Sequence, residues 1–341
     1  MARGGSPRTG PTGSPPGPRA PSSSTSSRQS GPTGIASRSS RARRPAGRPR
    51  AEVDVALYQL REPEADLVDP VVVAALDGWV DAGSAATDAA AKLAEKGRIV
   101  AEFDGDQLFD FRARRPTLEI ENGKPERLTW PTLQMRSRRI GERDVLVLSG
   151  AEPDFKWRRF AAEVVEVARK LHVTQWISIG AIPAAVPHTR PVPILGTSSE
   201  PGLLRGDVQA GPLGLLRVPA ACISVLDMAV SRAGIPAVGY FAQIPHYVSG
   251  EYPGAALELL RAVGRHLDIE APTGDLADAA QVLRKRLDAA AALDETTRNY
   301  VERLEGMADE SRLPAGDDLI ADIERFLRDQ GREMGGGGRP N

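Results

Sequence analysis

Apolar residues recur along this chain in two alternating periods. A continuous run over 71–76 (Val-Val-Val-Ala-Ala-Leu) has the pattern of a strand buried on both faces. Further strands are predicted over 99–103, 145–149, 176–180 and 237–243. Between them the period lengthens. Ser84 is placed to cap a helix of Ala, Lys and Leu that ends near Gly97. Phe160, Val164, Val167 and Leu171 share one face of a helix predicted over 155–171. Helices are also expected over 219–232, stopped by Gly234, and over 254–267, burying Leu257, Leu260 and Val263. Residues 104–143 are polar and irregular, with Pro116, Asn122-Gly123 and Pro131, and are expected to form a hairpin or insertion on one edge. A long loop rich in proline is expected over 181–214.

Strand and helix alternate throughout, so the predicted class is α/β: a mostly parallel sheet with helices on both faces, over 51–272. Past Pro272-Thr273-Gly274 the composition turns to Ala, Leu, Arg and Glu. Helices over 275–307 and 317–328, broken at Leu313-Pro314-Ala315-Gly316, predict a helical hairpin appendage over 273–331, with a flexible end over 332–341.

Composition changes the picture at the other end. Residues 1–50 hold ten Arg and no Lys, Asp or Glu, which leaves −11 on the remainder of a chain whose net charge is −1. This Pro/Gly/Ser/Arg segment has too little apolar surface to offset the entropy of ordering and is expected to be a disordered tail. No aromatic residue in it could stack on bases, so nucleic acid is not an expected partner. The rest is ordinary for a globular protein, 41% hydrophobic and 26% charged over the whole chain. Cys222 is the one cysteine, which excludes an internal disulfide and a cysteine-rich zinc site and suits a reducing compartment. No apolar run is long enough to span a bilayer. A cytoplasmic protein away from membranes is the expectation.

In open α/β sheets, ligands bind beyond the carboxyl ends of the strands. The segments there carry Asp77, Trp79 and Asp81 after the first buried strand and Glu152 after the strand at 145–149. His188 and Arg190 follow the strand at 176–180, and His246 and Tyr247 follow the one at 237–243. These eight residues are the candidate ligand pocket. His188 and His246 are the catalytic candidates, as a pair of acid/base groups; the alternative is that they hydrogen-bond their loops in place. Arg190 is either an anion clamp or half of a structural ion pair. Asp77 and Asp81 are polar anchors or helix caps, Trp79 a core or interface aromatic, and Glu152 a cap for the helix from 155. Arg112, Arg114 and Arg115 form a solvated edge or face an acidic partner. No phosphate loop, GxSxG elbow or HExxH motif occurs, and the four histidines are far apart in sequence. Neither metal nor cofactor is expected, and no reaction is specified.

Five segments together resemble the proteasome assembly chaperone 2 family. They are 77–83 (DGWVDAG), 103–115 (FDGDQLFDFRARR) with Pro116, 150–153 (GAEP) with Trp157, 180–191 (GAIPAAVPHTRP) and 244–248 (IPHYV). They stand in the family's order and cover roughly 53–270. PHTRP and PHY are the most specific, and the C-terminal helices resemble the actinobacterial branch. The resemblance implies a three-layer fold of the phosphorylase/hydrolase type. It also implies a non-enzymatic role in holding proteasome α-subunits or other client proteins. Homo-oligomers are implied as well, with a trimer as the first guess, and Arg112, Arg115 and Trp157 are the interface candidates. Family members that dock on an assembled α-ring use a C-terminal hydrophobic–Tyr–any-residue tail, whereas this sequence shows no Tyr after Tyr300. A different class of function also fits the strand-end residues: a small-molecule hydrolase- or phosphorylase-like enzyme or binder, as database-style names such as carboxylate–amine ligase suggest.

Overall fold

The buried strand at 71–77 organises the whole molecule. In the computed structural model, which describes residues 55–61, 66–206, 208–211 and 214–312, its side chains alternate between two cores. Val72, Ala74 and Leu76 face one side, and Val71, Val73 and Ala75 the other. Two apolar layers therefore have to cover it, one on each face.

The chain runs β1 (Tyr58–Leu60), β2 (Val71–Asp77), α1 (Ala85–Ala94), β3 (Arg98–Phe103) and the single-turn α2 (Gly105–Leu108). There follow β4 (Thr117–Glu121), β5 (Lys124–Thr129), β6 (Leu133–Ile140), β7 (Arg143–Ala151) and α3 (Trp157–Lys170). The next elements are β8 (Gln175–Ala184), β9 (Ile194–Ser198), β10 (Gln209–Ala210), α4 (Cys222–Arg232) and β11 (Ala237–Pro245). The described part ends with α5 (Pro253–Leu267), α6 (Leu276–Leu293) and α7 (Glu295–Arg312). The main sheet has the order β1-β3-β6-β7-β2-β8-β11-β9-β10. Its four central strands, β7-β2-β8-β11, are parallel. The flanks β1, β3 and β6 on one side and β9 on the other pair antiparallel.

Helices α3 and α4 bury Phe160, Val164, Leu226 and Val230 against one face. Helices α1 and α5 bury Leu93, Leu259, Leu260 and Val263 against the other. The molecule is thus a mixed α/β protein in three layers, as expected. The carboxyl ends of all four central strands open on one edge, which gathers the candidate residues there.

Four local expectations are corrected. Ser84 does not cap α1: it sits at φ 53° and makes no side-chain cap bond. The Asp81 carboxylate does so instead, accepting from the Ala86 and Thr87 amides at 2.7 and 3.3 Å and from the Thr87 hydroxyl at 2.6 Å. Residues 104–143 do contain a hairpin, β4–β5, but 133–140 are a full strand between β3 and β7. The stretch 181–214 carries two short strands. The helix expected over 275–307 is broken at Asp294, whose extended backbone (φ −122°, ψ 116°) ends α6. Its carboxylate accepts from the Thr297 amide at 2.7 Å and so caps α7. The tail over 1–50, the helix over 317–328 and the end segment 332–341 lie outside the described residues.

Candidate functional site

The edge built by the four parallel strands separates the candidate residues into two groups. The first is stitched together by Glu152, one residue past β7. One carboxylate oxygen accepts from the Cys222 amide at 2.6 Å and the other from the Trp79 amide at 3.3 Å. Glu152 therefore serves the positive end of α4, where Ala221 offers no side-chain cap, and not α3 as the sequence suggested. Gly78 is required for this approach, since a Cβ there would stand 2.4 Å from the Glu152 carboxylate. Asp81 is the cap of α1 described above, and burial raises its pKa against the lowering effect of those hydrogen bonds. Asp77 is open to solvent and 3.7 Å from Arg114, which also lies 3.6 Å from Asp154. Trp79 is 69% exposed. Arg112 and Arg115 are exposed beside this group. Trp157 is half-buried, with its indole N–H donating to the Pro153 carbonyl and its ring against the α3 core.

The second group is the PHTRP and PHY segments, and here the structure brings the side chains into contact. The Tyr247 hydroxyl accepts from the His188 amide at 2.8 Å and lies 2.7 Å from His188 Nδ1. Donation of the phenolic proton to Nδ1 leaves the imidazole proton on Nε2, which faces Asp288 at 3.3 Å without an aligned hydrogen bond. His188 is only 3% exposed. Burial holds its pKa below the usual histidine value against the pull of Asp288, so the ring is neutral at pH 7. His246 is exposed but equally committed. Its Nδ1 lies 3.0 Å from the Ala184 carbonyl and its Nε2 3.0 Å from the Tyr300 hydroxyl. Tyr247 stands edge-on to both imidazoles and to Tyr300, with ring centroids 5.7–6.0 Å apart.

These side chains reach into α6 and α7. Arg190 makes a two-pronged bond to Asp309, Nε to Oδ1 at 2.9 Å and Nη2 to Oδ2 at 2.7 Å, and a third contact to Glu305 at 3.2 Å. Thr189 donates its hydroxyl to Glu305. Arg284 donates to the His188 carbonyl at 2.9 Å. His246 spends both ring nitrogens and His188 its Nδ1 on the protein's own groups, and Arg190 holds carboxylates of α7. A cavity of about 200 Å³ remains between α5 and α6, lined by His188, Arg190, Tyr252, Leu257, Leu283 and Arg284. Sequence reasoning missed Arg284, Asp288, Tyr300, Glu305 and Asp309. Their signal was available: Arg284/Asp288 and Glu305/Asp309 are pairs four apart, each on one face of a helix.

A scan against family models matches residues 75–291 to the family described as PAC2. Among solved structures, the chain is similar to the Mycobacterium tuberculosis proteasome-assembly chaperone homologue Rv2125, 36% identical over 68% of this chain and 99% of that one, with a TM-score of 0.62. A PAC2 family protein from Streptomyces avermitilis is 36% identical over 68% of this chain and 100% of its own, with a TM-score of 0.61. The M. tuberculosis unknown function protein Rv2714 is 32% identical over 78% of this chain and 93% of its own, with a TM-score of 0.69. A search of curated proteins found no match.

Proposed function

The chain belongs to the PAC2 family, and from that premise we propose that it is a non-enzymatic scaffold that binds proteasome α-subunits or other client proteins. One observation carries the reading. The residues that would be acid, base and anion clamp in an enzyme (His188, His246, Arg190) are each engaged by the protein itself, and together they fasten α6 and α7 across the carboxyl edge of the sheet. A general base needs a ring nitrogen within reach of a substrate proton. Here that edge presents a braced surface, which is what a scaffold needs. The name printed for the M. tuberculosis homologue points the same way. The protein works as a homo-oligomer in the cytoplasm, without a cofactor.

Affinity capture of the tagged full chain from its own host, followed by mass spectrometry, tests the reading. Enrichment of proteasome α-subunits or unprocessed β-precursors is the expected result. Recovery of the chain alone would overturn the client assignment.

A further inference from the structure

Helices α5 and α6 pack on one another without closing up. Leu283 and Leu287 of α6 lie against the second core and stay only half-buried. The cavity of about 200 Å³ between the two helices has an apolar lining of Val192, Leu257, Leu283 and Leu287. Its polar lining is Tyr252 and Arg284, with His188, Arg190 and Glu258. Apolar walls with a few polar groups among them are the usual make-up of a small-molecule site.

The polar groups left over in this lining are donors. Tyr252 stands at the start of α5, where its amide donates to the Gly83 carbonyl at 2.9 Å. It is 7% exposed. Burial pushes its pKa up to about 12, Tyr247 adding to the rise and Arg284 opposing it. A buried hydroxyl is nearly always hydrogen-bonded. The hydroxyls of Tyr58, Tyr240, Tyr247 and Tyr300 all are. That of Tyr252, the fifth tyrosine of the chain, has no partner among the described residues. Arg284 spends Nε on Asp288 and Nη1 on the His188 carbonyl, each at 2.9 Å, and leaves Nη2 without an acceptor among those residues. His188 Nε2, turned to Asp288, has no aligned partner either. The one carboxylate of the lining, Glu258, is taken by Arg261 at 2.5 Å, and Arg190 is held by Glu305 and Asp309. What the cavity lacks is an acceptor.

We infer that the cavity between α5 and α6 takes a small monocarboxylate with a short apolar body, its carboxylate accepting from the Tyr252 hydroxyl and Arg284 Nη2 and its body lying among Val192, Leu257, Leu283 and Leu287. Hydrogen bonds from a guanidinium to a carboxylate are among the strong ones. At about 30 Å³ for each non-hydrogen atom the space holds about seven of them, which suits an acid of about five carbons and is too small for a long-chain fatty acid or a peptide. Tyr252 and Leu257 belong to the α/β body, and Leu283 and Arg284 to α6, so a bound acid ties the two together. No reaction is involved, and the inference is independent of the client proposed above.

Isothermal titration calorimetry of the purified full chain with pentanoate tests it, with pentanamide as the uncharged match. Pentanoate is expected to bind as one molecule per chain with a Kd below about 1 mM, and pentanamide about 10-fold or more weaker. Tyr252→Phe removes a hydroxyl that the fold does not use, so it should leave melting unchanged without the acid and weaken pentanoate binding about 10-fold. Ala280→Leu adds bulk to a residue of the cavity lining and should abolish binding. No saturable binding of pentanoate below about 1 mM would overturn the inference. So would binding that both variants retain in full, which would put the acid elsewhere, and so would equal affinity for the amide. A lower melting temperature of Tyr252→Phe without the acid would show that the hydroxyl serves the fold, and would overturn it as well.

Discussion

Asp227 lies on α4 with its carboxylate turned onto the sheet. It accepts from the Trp176 indole at 2.8 Å and from the Ser178 hydroxyl at 3.0 Å. Burial outweighs those two bonds and pushes its pKa up to about 7 from an ordinary 3.8. A carboxyl group with a raised pKa adds full stability below its unfolded value and loses it as the pH climbs through the folded value. The cost of ionised Asp227 therefore grows between about pH 4 and pH 7. At 1.36 kcal/mol per pK unit the raw figure is about 4 kcal/mol. Relaxation of the surroundings around the ionised group reduces this to about 2 kcal/mol. Asp227→Asn keeps an acceptor for Trp176, and its amide can donate to Ser178, whose hydroxyl lies 3.4 Å from the Val238 carbonyl. Urea unfolding at intervals from pH 4.5 to 9 should show the variant near parity at the acid end and about 2 kcal/mol more stable above pH 8. A difference that does not change with pH would refute the reasoning, whatever its sign.

Gly150 has φ 141°, and a Cβ there would stand 2.0 Å from the Thr132 carbonyl; Gly150→Ala should cost about 3 kcal/mol or more in denaturant unfolding, by parting β6 from β7. Asp294→Ala removes the cap of α7 and should cost about 1 kcal/mol locally, seen as faster amide exchange over 295–300. His266 is buried, with ring nitrogens 2.6 Å from the Tyr240 hydroxyl and from the Gln175 amide, and burial brings its pKa down to about 4. The His266 contribution to stability should fall as the pH drops from 6.5 to 4, by up to about 3 kcal/mol, so the difference between the protein and its His266→Gln variant should change by that amount across the window.

Much of the fold was legible because a few segments admit one reading. A six-residue apolar run has to be buried on both faces, and the spacing of Phe160, Val164 and Val167 has to be a helix. Strand β6 was illegible for a definite reason. Arg136, Arg138 and Arg139 dominate it, and two of them are there to serve the end of α1: Arg136 donates to the Gly97 carbonyl and Arg138 to the Lys92 carbonyl, each at 3.1 Å. Their local sequence reads as solvated charge, and only the tertiary contact explains it. The break at Asp294 was hidden because Asp-Glu-Thr-Thr is tolerated within a helix rich in Ala and Glu, and the cap decides the outcome. At the site, the candidate residues were found from strand-end logic alone, and all lie at the carboxyl edge. Their partners were not found, because Glu305 and Asp309 lie more than a hundred residues from Arg190 in sequence and read there as an ordinary acidic helix face.

The bracing of α6 and α7 by the PHTRP and PHY segments is tested most directly by hydrogen exchange, read by mass spectrometry, on the full chain and its Arg190→Ala variant. Loss of the paired bonds to Asp309 and the contact to Glu305 should speed exchange across 295–312 by about 5- to 10-fold, equivalent to about 1 kcal/mol of local opening. Peptides from β2 and β8 should be unchanged. Unaltered exchange over 295–312, or equal acceleration throughout the sheet, would contradict the bracing role assigned to Arg190.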